Sequence, residues 1–161
     1  MELRDGDLLL RPVERRDADA LAAACDDEEI ARFVPLMPSP YTRADADEWV
    51  ERCAKVWRTG ESFPFAIVDA ESDALLGSIE LGSGNVGYWV AHGARGRHVA
   101  TRALRLVCAW TGDRPLRLWT HPENVASQRV AENAGFRRVG TTADHPQFRD
   151  GTREAVLFEL T

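Results

Sequence analysis

No run of apolar residues in this chain approaches the ~20 needed to span a bilayer. Its opening, Met1-Glu2-Leu3-Arg4-Asp5, lacks the hydrophobic stretch of a signal peptide. A cytoplasmic domain with no membrane association is therefore expected. Cysteine is scarce: Cys25, Cys53 and Cys108 are odd in number and widely spaced. They fit neither a disulfide framework nor a metal knuckle and read as reduced, buried small hydrophobes. An excess of positive charge is also missing. A formal charge of −6 and a pI near 5.2 leave no broad basic surface for nucleic acid. There is no Gly-x-Ser-x-Gly elbow and no Walker loop, which removes hydrolase and nucleotide-triphosphatase readings. No His/Cys/carboxylate cluster has metal-ligand spacing, so no metal is expected. One absence is local: Leu81 to Gly112 contains no Asp or Glu, while Arg95, Arg97, Arg102 and Arg105 fall inside it. In an acidic chain that is a basic island.

The 44% apolar and 29% charged fractions over 161 residues fit one globular domain spanning 1–161. Leu8–Pro12 is a strand candidate. Asp17 can cap a helix with Leu21, Ala24 and Cys25 inside, and Glu28–Val34 is a second short helix. Pro35, Pro38 and Pro40 make Pro35–Tyr41 irregular, a loop that either lines a cleft or packs over the core. From Thr42 to Gly60 the spacing of Ala46, Trp49, Val50, Cys53 and Trp57 predicts an amphipathic helix. Phe63–Asp69, Leu75–Leu81 and Asn85–Val90, joined by short turns, predict an antiparallel meander. A mostly apolar helix runs from His98 to about Thr111. Leu116–Thr120 is a strand, Asn124 caps a helix from Val125 to Ala134 with Gly135 as its stop, and Phe136–Thr142 and Thr152–Leu160 end the chain as strands around the polar loop Asp144–Gly151. The order predicts an α+β domain on a mixed sheet.

Val90-Ala91-His92-Gly93-Ala94-Arg95-Gly96-Arg97-His98-Val99-Ala100-Thr101-Arg102 is the stretch around which the chain is organised. A strand, a small-residue loop and a helix start aim backbone N–H groups and the helix dipole at one point, which suits a phosphate. An ordinary βα turn with surface arginines reads the same way on these residues alone.

Two stretches together resolve that. Arg95-Gly96-Arg97-His98-Val99-Ala100-Thr101 resembles the acyl-CoA pyrophosphate loop of the GCN5-related N-acetyltransferases (GNAT). Asn124-Val125-Ala126-Ser127 through Asn133-Ala134-Gly135-Phe136 resembles the Asn-x-x-Ser…Asn-x-Gly-Phe signature of the same superfamily, in the branch of the bacterial ribosomal-protein N-acetyltransferases. Leu9-Leu10-Arg11-Pro12 and Pro40-Tyr41-Thr42 look like that branch too. The resemblance implies the acyl-CoA N-acyltransferase fold, a mixed, mostly antiparallel sheet of about seven strands splayed in the middle and flanked by helices. It also implies acetyl-CoA as cosubstrate. The amides from Arg97 through His98, Val99 and Ala100 to Thr101 would hold the diphosphate, with Gly96 in the loop, Arg95 nearby and the Thr101 hydroxyl adding a donor. Val90 would pair its backbone with the pantetheine arm as an added strand does, and Asn124 would touch that arm from across the cleft. His98 stands where the family usually has glycine. As the first helical residue it is expected to take an ordinary negative φ; a required positive φ would add strain.

The implied reaction is attack of a neutral primary amine on the thioester. A protein α-amine, with a pKa near ~8, is easier to deprotonate than lysine at ~10.4. Glu80, in an otherwise apolar strand, is the candidate base, its alternative being a place on a solvated strand face. Ser127 is the candidate donor to the leaving sulfur and sits at the family position near it, its alternative being a helix-start serine bonded to backbone. His121 is either a base or a partly exposed turn residue, and His92 only precedes the loop. The acceptor is a protein N-terminus or a small-molecule amine, antibiotics included, framed by Pro35–Tyr41 and Asp144–Gly151. A non-catalytic acyl-CoA-binding module with a lapsed site is the alternative. Monomer and homodimer are both compatible with the sequence.

Overall fold

A computed structural model describes the chain from Met1 to Thr161. Eight strands form one sheet in the order β1-β2-β3-β4-β5-β6-β8-β7. The strands are β1 Leu3–Asp5, β2 Leu8–Pro12, β3 Ser62–Asp69, β4 Leu75–Gly82, β5 Asn85–Val90, β6 Leu116–Thr120, β7 Arg137–Thr142 and β8 Ala155–Leu160. The helices are α1 Ala18–Cys25, α2 Glu28–Phe33, α3 Arg43–Thr59, α4 Val99–Thr111 and α5 Val125–Asn133. This is the predicted α+β class with the predicted antiparallel meander β3-β4-β5. The strand beyond the expected seven is β1. It pairs with β2 through Gly6-Asp7, where Gly6 takes φ +58°.

Every neighbouring pair is antiparallel except β5 and β6. These two run parallel and register at a single pair, Asn85 with Arg117. Beyond that point β5 has no ladder partner on its β6 side, so the sheet opens towards the ends of both strands.

Two apolar clusters sandwich the sheet. On one face α4 buries Val99, Ala103, Leu104 and Val107 against Phe65, Ile79 and Leu118. On the other, α1 and α3 bury Leu21, Ala46, Val50 and Cys53 against Ala66, Val68 and Trp89. The α3 boundaries follow from its sequence. Thr42 accepts the Asp45 N–H while Asp45 accepts the Thr42 N–H, a reciprocal cap. Gly60 closes the helix at φ +74°, where a Cβ would be strained. Arg11, read only as part of a strand, is 2% exposed and forks onto Asp17 at 2.7 and 2.8 Å. Paired in this way, its charge is tolerated in the core. No helix is long and apolar enough to cross a membrane.

Candidate active site

The start of α4 differs from those of α2, α3 and α5. Asp27, Thr42 and Asn124 cap α2, α3 and α5 with side-chain oxygens. At α4 the cap position is His98, which makes no capping bond, and the first turn carries no acidic residue. Backbone N–H groups from Gly96 to Thr101 find no acceptor in the protein; the preceding Arg95 N–H bonds to His92 and the following Arg102 N–H to His98. Gly96 takes φ +77° and His98 φ +57°. Left-handed residues in such a run turn consecutive N–H groups to the concave side of the chain, the geometry of an anion nest. The expected negative φ at His98 is therefore corrected: the residue caps the helix in the left-handed region and α4 begins one residue later. His is among the side chains that enter this region most readily, at a cost of ~1 kcal/mol.

The basic island is less free than its composition implies. Arg95 holds Asp27 at 3.1 Å and Glu29 at 2.7 Å. Arg102 holds Asp5 and Asp7, each at 2.9 Å. Arg105 donates to the Asn133 carbonyl. Arg97 is exposed and unpaired beside the uncapped helix start. The partners of the others lie far away in sequence, out of reach of a local reading.

Across the opening, α5 begins at Asn124. Its Oδ1 accepts the Ser127 N–H at 3.1 Å, while Val90, half-buried, ends β5 opposite. Ser127 Oγ donates to the Tyr88 hydroxyl at 3.1 Å, and that hydroxyl donates to the Ser127 carbonyl at 3.1 Å. Tyr88 thus joins β5 to α5 across the split. Sequence alone hides it, because it shares a strand face with Val86 and Val90 and reads as core; its one polar signal is a hydroxyl near the end of a central strand.

Glu80 lies on the other face of the sheet. Its carboxylate accepts from Ser62 Oγ at 2.8 Å and from Arg52 at 3.3 Å, and the residue is half-buried. Its partner across the ladder is Gly87, beside Tyr88. The structure brings Ser127 to Tyr88 and Asn124, but keeps Glu80 and Ser127 on opposite faces.

His121 is 2% exposed, so it is not the partly exposed turn residue expected. Its Nδ1 accepts the Glu123 N–H at 3.0 Å, which leaves the proton on Nε2, donated to Asp150 at 2.7 Å. Arg32 pairs with Glu123 and reaches Asp150. The ligand atoms of His121, Glu123 and Asp150 converge within 4.8 Å, a grouping that sequence spacing did not reveal. Both imidazole nitrogens are already occupied within it. Asp150 is held down to about 2 by bonds from Thr152 first and then from His121. The loop after β7 is also less polar than it reads. Phe148 is 1% exposed, packed on His121, while His145 stacks on Trp119. Arg149 donates to carbonyls of Ala31, Val34, Pro35 and Met37, tying this loop to the proline-rich one. Burial raises the thiols of Cys25, Cys53 and Cys108 to about 12, 12 and 11, so none supplies a ready thiolate.

A family model described as the acetyltransferase (GNAT) domain matches residues 7–137. The chain belongs to the GNAT family. The uncharacterized N-acetyltransferase p20 of Bacillus licheniformis is 23% identical over 95% of this chain and 92% of its own. Among solved structures, Mycobacterium smegmatis RimJ in complex with CoA-disulfide superposes with TM-score 0.82 at 24% identity, over 100% of this chain and 86% of that one. The ribosomal-protein-S5-alanine acetyltransferase of Vibrio fischeri does so with TM-score 0.85 at 16% identity, over 99% and 96%. At these identities the superpositions establish the GNAT fold. Membership and fold both bear out the resemblance read from Arg95–Thr101 and Asn124–Phe136.

Proposed function

We propose that this GNAT chain transfers the acetyl group of acetyl-CoA to a primary amine, with the cofactor seated in the split between β5 and β6. One observation carries the assignment: the unpaired amides from Gly96 to Thr101 stand beside the only parallel, opened strand pair of the sheet. A diphosphate needs several converging N–H donors, and these are the ones a protein acceptor has not taken. Arg97 adds charge to that end of the site, while Arg95 buttresses the loop from behind. The free edge of β5 as far as Val90 suits the amides of a pantetheine arm, with Asn124 facing it.

The acetyl group would then lie near Ser127, while the amine arrives on the Glu80 face. The amine nitrogen bonds to the thioester carbon, the C–S bond breaks, and the sulfur leaves with the electron pair. The proton lost by nitrogen passes to Glu80, directly or through water. Ser127 donates to the departing thiolate. The loops carrying Met37 and Arg149 frame the acceptor, and the solved Vibrio fischeri neighbour is named for an alanine of a ribosomal protein. A protein N-terminal amine is accordingly the first acceptor to try, ahead of small amines.

Calorimetric titration with acetyl-CoA tests the seat, and thiol release with peptides bearing free N-terminal alanine or serine tests the reaction. Wild-type binding that disappears in Gly96→Glu, together with peptide-dependent thiol release, is the expected result. Binding without release from any peptide or alkylamine would mark a non-catalytic acyl-CoA module. No binding at all would overturn the assignment.

A further inference from the structure

Tyr88 has no part in the reaction as just described, yet its hydroxyl sits at the start of α5 in the opened strand pair. The bonds on it are few: the Ser127 hydroxyl gives to it and it gives to the Ser127 carbonyl, each at 3.1 Å. Neither hydroxyl has another polar partner. The Ser127 carbonyl belongs to the first turn of α5 and takes a helical N–H four residues on, so the bond from Tyr88 is its second and can be given up. The Ser127 backbone is meanwhile fixed by the Asn124 cap. Only the two hydroxyl hydrogens are free to turn.

They have two self-consistent arrangements on the same heavy atoms. In one, Ser127 donates to Tyr88 and Tyr88 to the carbonyl. In the other, Tyr88 donates to Ser127 Oγ, and the Ser127 hydrogen swings out into the split. The second makes Ser127 the end of a polarised chain, a stronger donor than an isolated hydroxyl.

Resting on the acetyl-transfer reading above, we infer that Tyr88 is a positioning residue that aims the Ser127 hydroxyl at the sulfur of the leaving CoA. As the C–S bond breaks and the electron pair moves onto sulfur, the hydrogen of Ser127 turns from Tyr88 to the thiolate, and Tyr88 turns its own hydrogen from the carbonyl to Ser127 Oγ. No proton changes hands in this chain. A thiol ionises near ~8.5, and burial pushes the Tyr88 phenol up to about 12 against the pull of the Ser127 bond, so the phenol keeps its proton. Sulfur is stabilised as an anion and protonated later from solvent.

Tyr88→Phe keeps the ring and removes only the hydroxyl. Steady-state acetyl transfer to N-terminal alanine and serine peptides, calorimetric CoA binding and thermal melting would be compared for wild type, Tyr88→Phe, Ser127→Ala and the double variant. Tyr88→Phe is expected to lower kcat about tenfold, with the acetyl-CoA KM and CoA Kd within about twofold of wild type. Ser127→Ala should do at least the same, and the double variant should be no slower than Ser127→Ala alone, because the two hydroxyls act as one chain. Wild-type kcat in Tyr88→Phe would overturn the inference, as would a double variant slowed by the product of the single effects. So would a loss of CoA affinity and melting temperature in step with kcat, which marks packing. A wild type that binds CoA but acetylates nothing would remove the transfer reading itself, and this inference with it.

Discussion

The two margins of the opened strand pair are built on opposite plans. At the start of α4 the backbone amides from Gly96 to Thr101 have no protein acceptor, and the cap position holds a strained histidine instead of a capping oxygen. At the far margin nearly everything is matched: His121 uses both nitrogens, Asp150 meets His121 and Thr152, and Arg149 is spread over four carbonyls. Polar groups that a fold can satisfy, it generally does. An unsatisfied run in one place and a saturated network in the other separate backbone donors that remain open from a frame that holds shape.

That contrast sorts substitutions by what they should damage. His121→Ala removes a buried ring from contact with Phe33 and Phe148 and orphans the Glu123 N–H. The expected cost is about 3 kcal/mol in urea unfolding, with CoA affinity changed only a few-fold. Gly96→Glu inverts the pattern. It places a carboxylate among the amides at a φ of +77°, where open space surrounds the missing Cβ. CoA affinity should fall at least ~100-fold by calorimetry, while stability drops by only about 1 kcal/mol. If both variants lost stability and affinity equally, the two margins would not be distinct.

Acid provides a weaker probe of the saturated margin. The Thr152 bonds, with help from His121, hold Asp150 at about 2 against an ordinary 3.8. Its stabilisation is complete above the ordinary value and drains away as pH falls from about 4 to 2. Melting curves of Asp150→Asn should therefore show less acid sensitivity than wild type across that window, and a parallel profile would contradict this. The smallest effect belongs to His98→Gly. Relief of a left-handed side chain should raise stability by about 0.5 kcal/mol in urea unfolding and leave CoA affinity equal or improved. Loss of affinity would mean that the imidazole itself holds the cofactor.

Much of this was legible in the chain. Thr42 and Gly60 announced both ends of α3, and Asn124 with Gly135 did so for α5, because caps and left-handed stops are local chemistry. Short turns between apolar runs gave the meander for the same reason. Arg95–Thr101 and Asn124–Phe136 located the two sides of the split. Features set by residues distant in sequence stayed hidden. Arg95 turned out to be held by Asp27 and Glu29, His121 by a loop twenty-nine positions on, and Phe148 lay buried in a stretch that composition called polar. Tyr88 was invisible because a phenol and a core aromatic share one pattern until the partner of the hydroxyl is known. His98 reads as the first residue of α4 but is its cap, and that one-residue shift turns its φ from negative to positive. Element boundaries commonly move by that much.

The proposed seat of the CoA diphosphate is the run of unpaired amides after Arg95. Amide proton–nitrogen spectra of labelled protein titrated with CoA, and separately with pantetheine, test it residue by residue. Large shifts from Gly96 to Thr101 with CoA, and little change there with pantetheine, are the predicted result. CoA that binds yet leaves those amides where they were would contradict it.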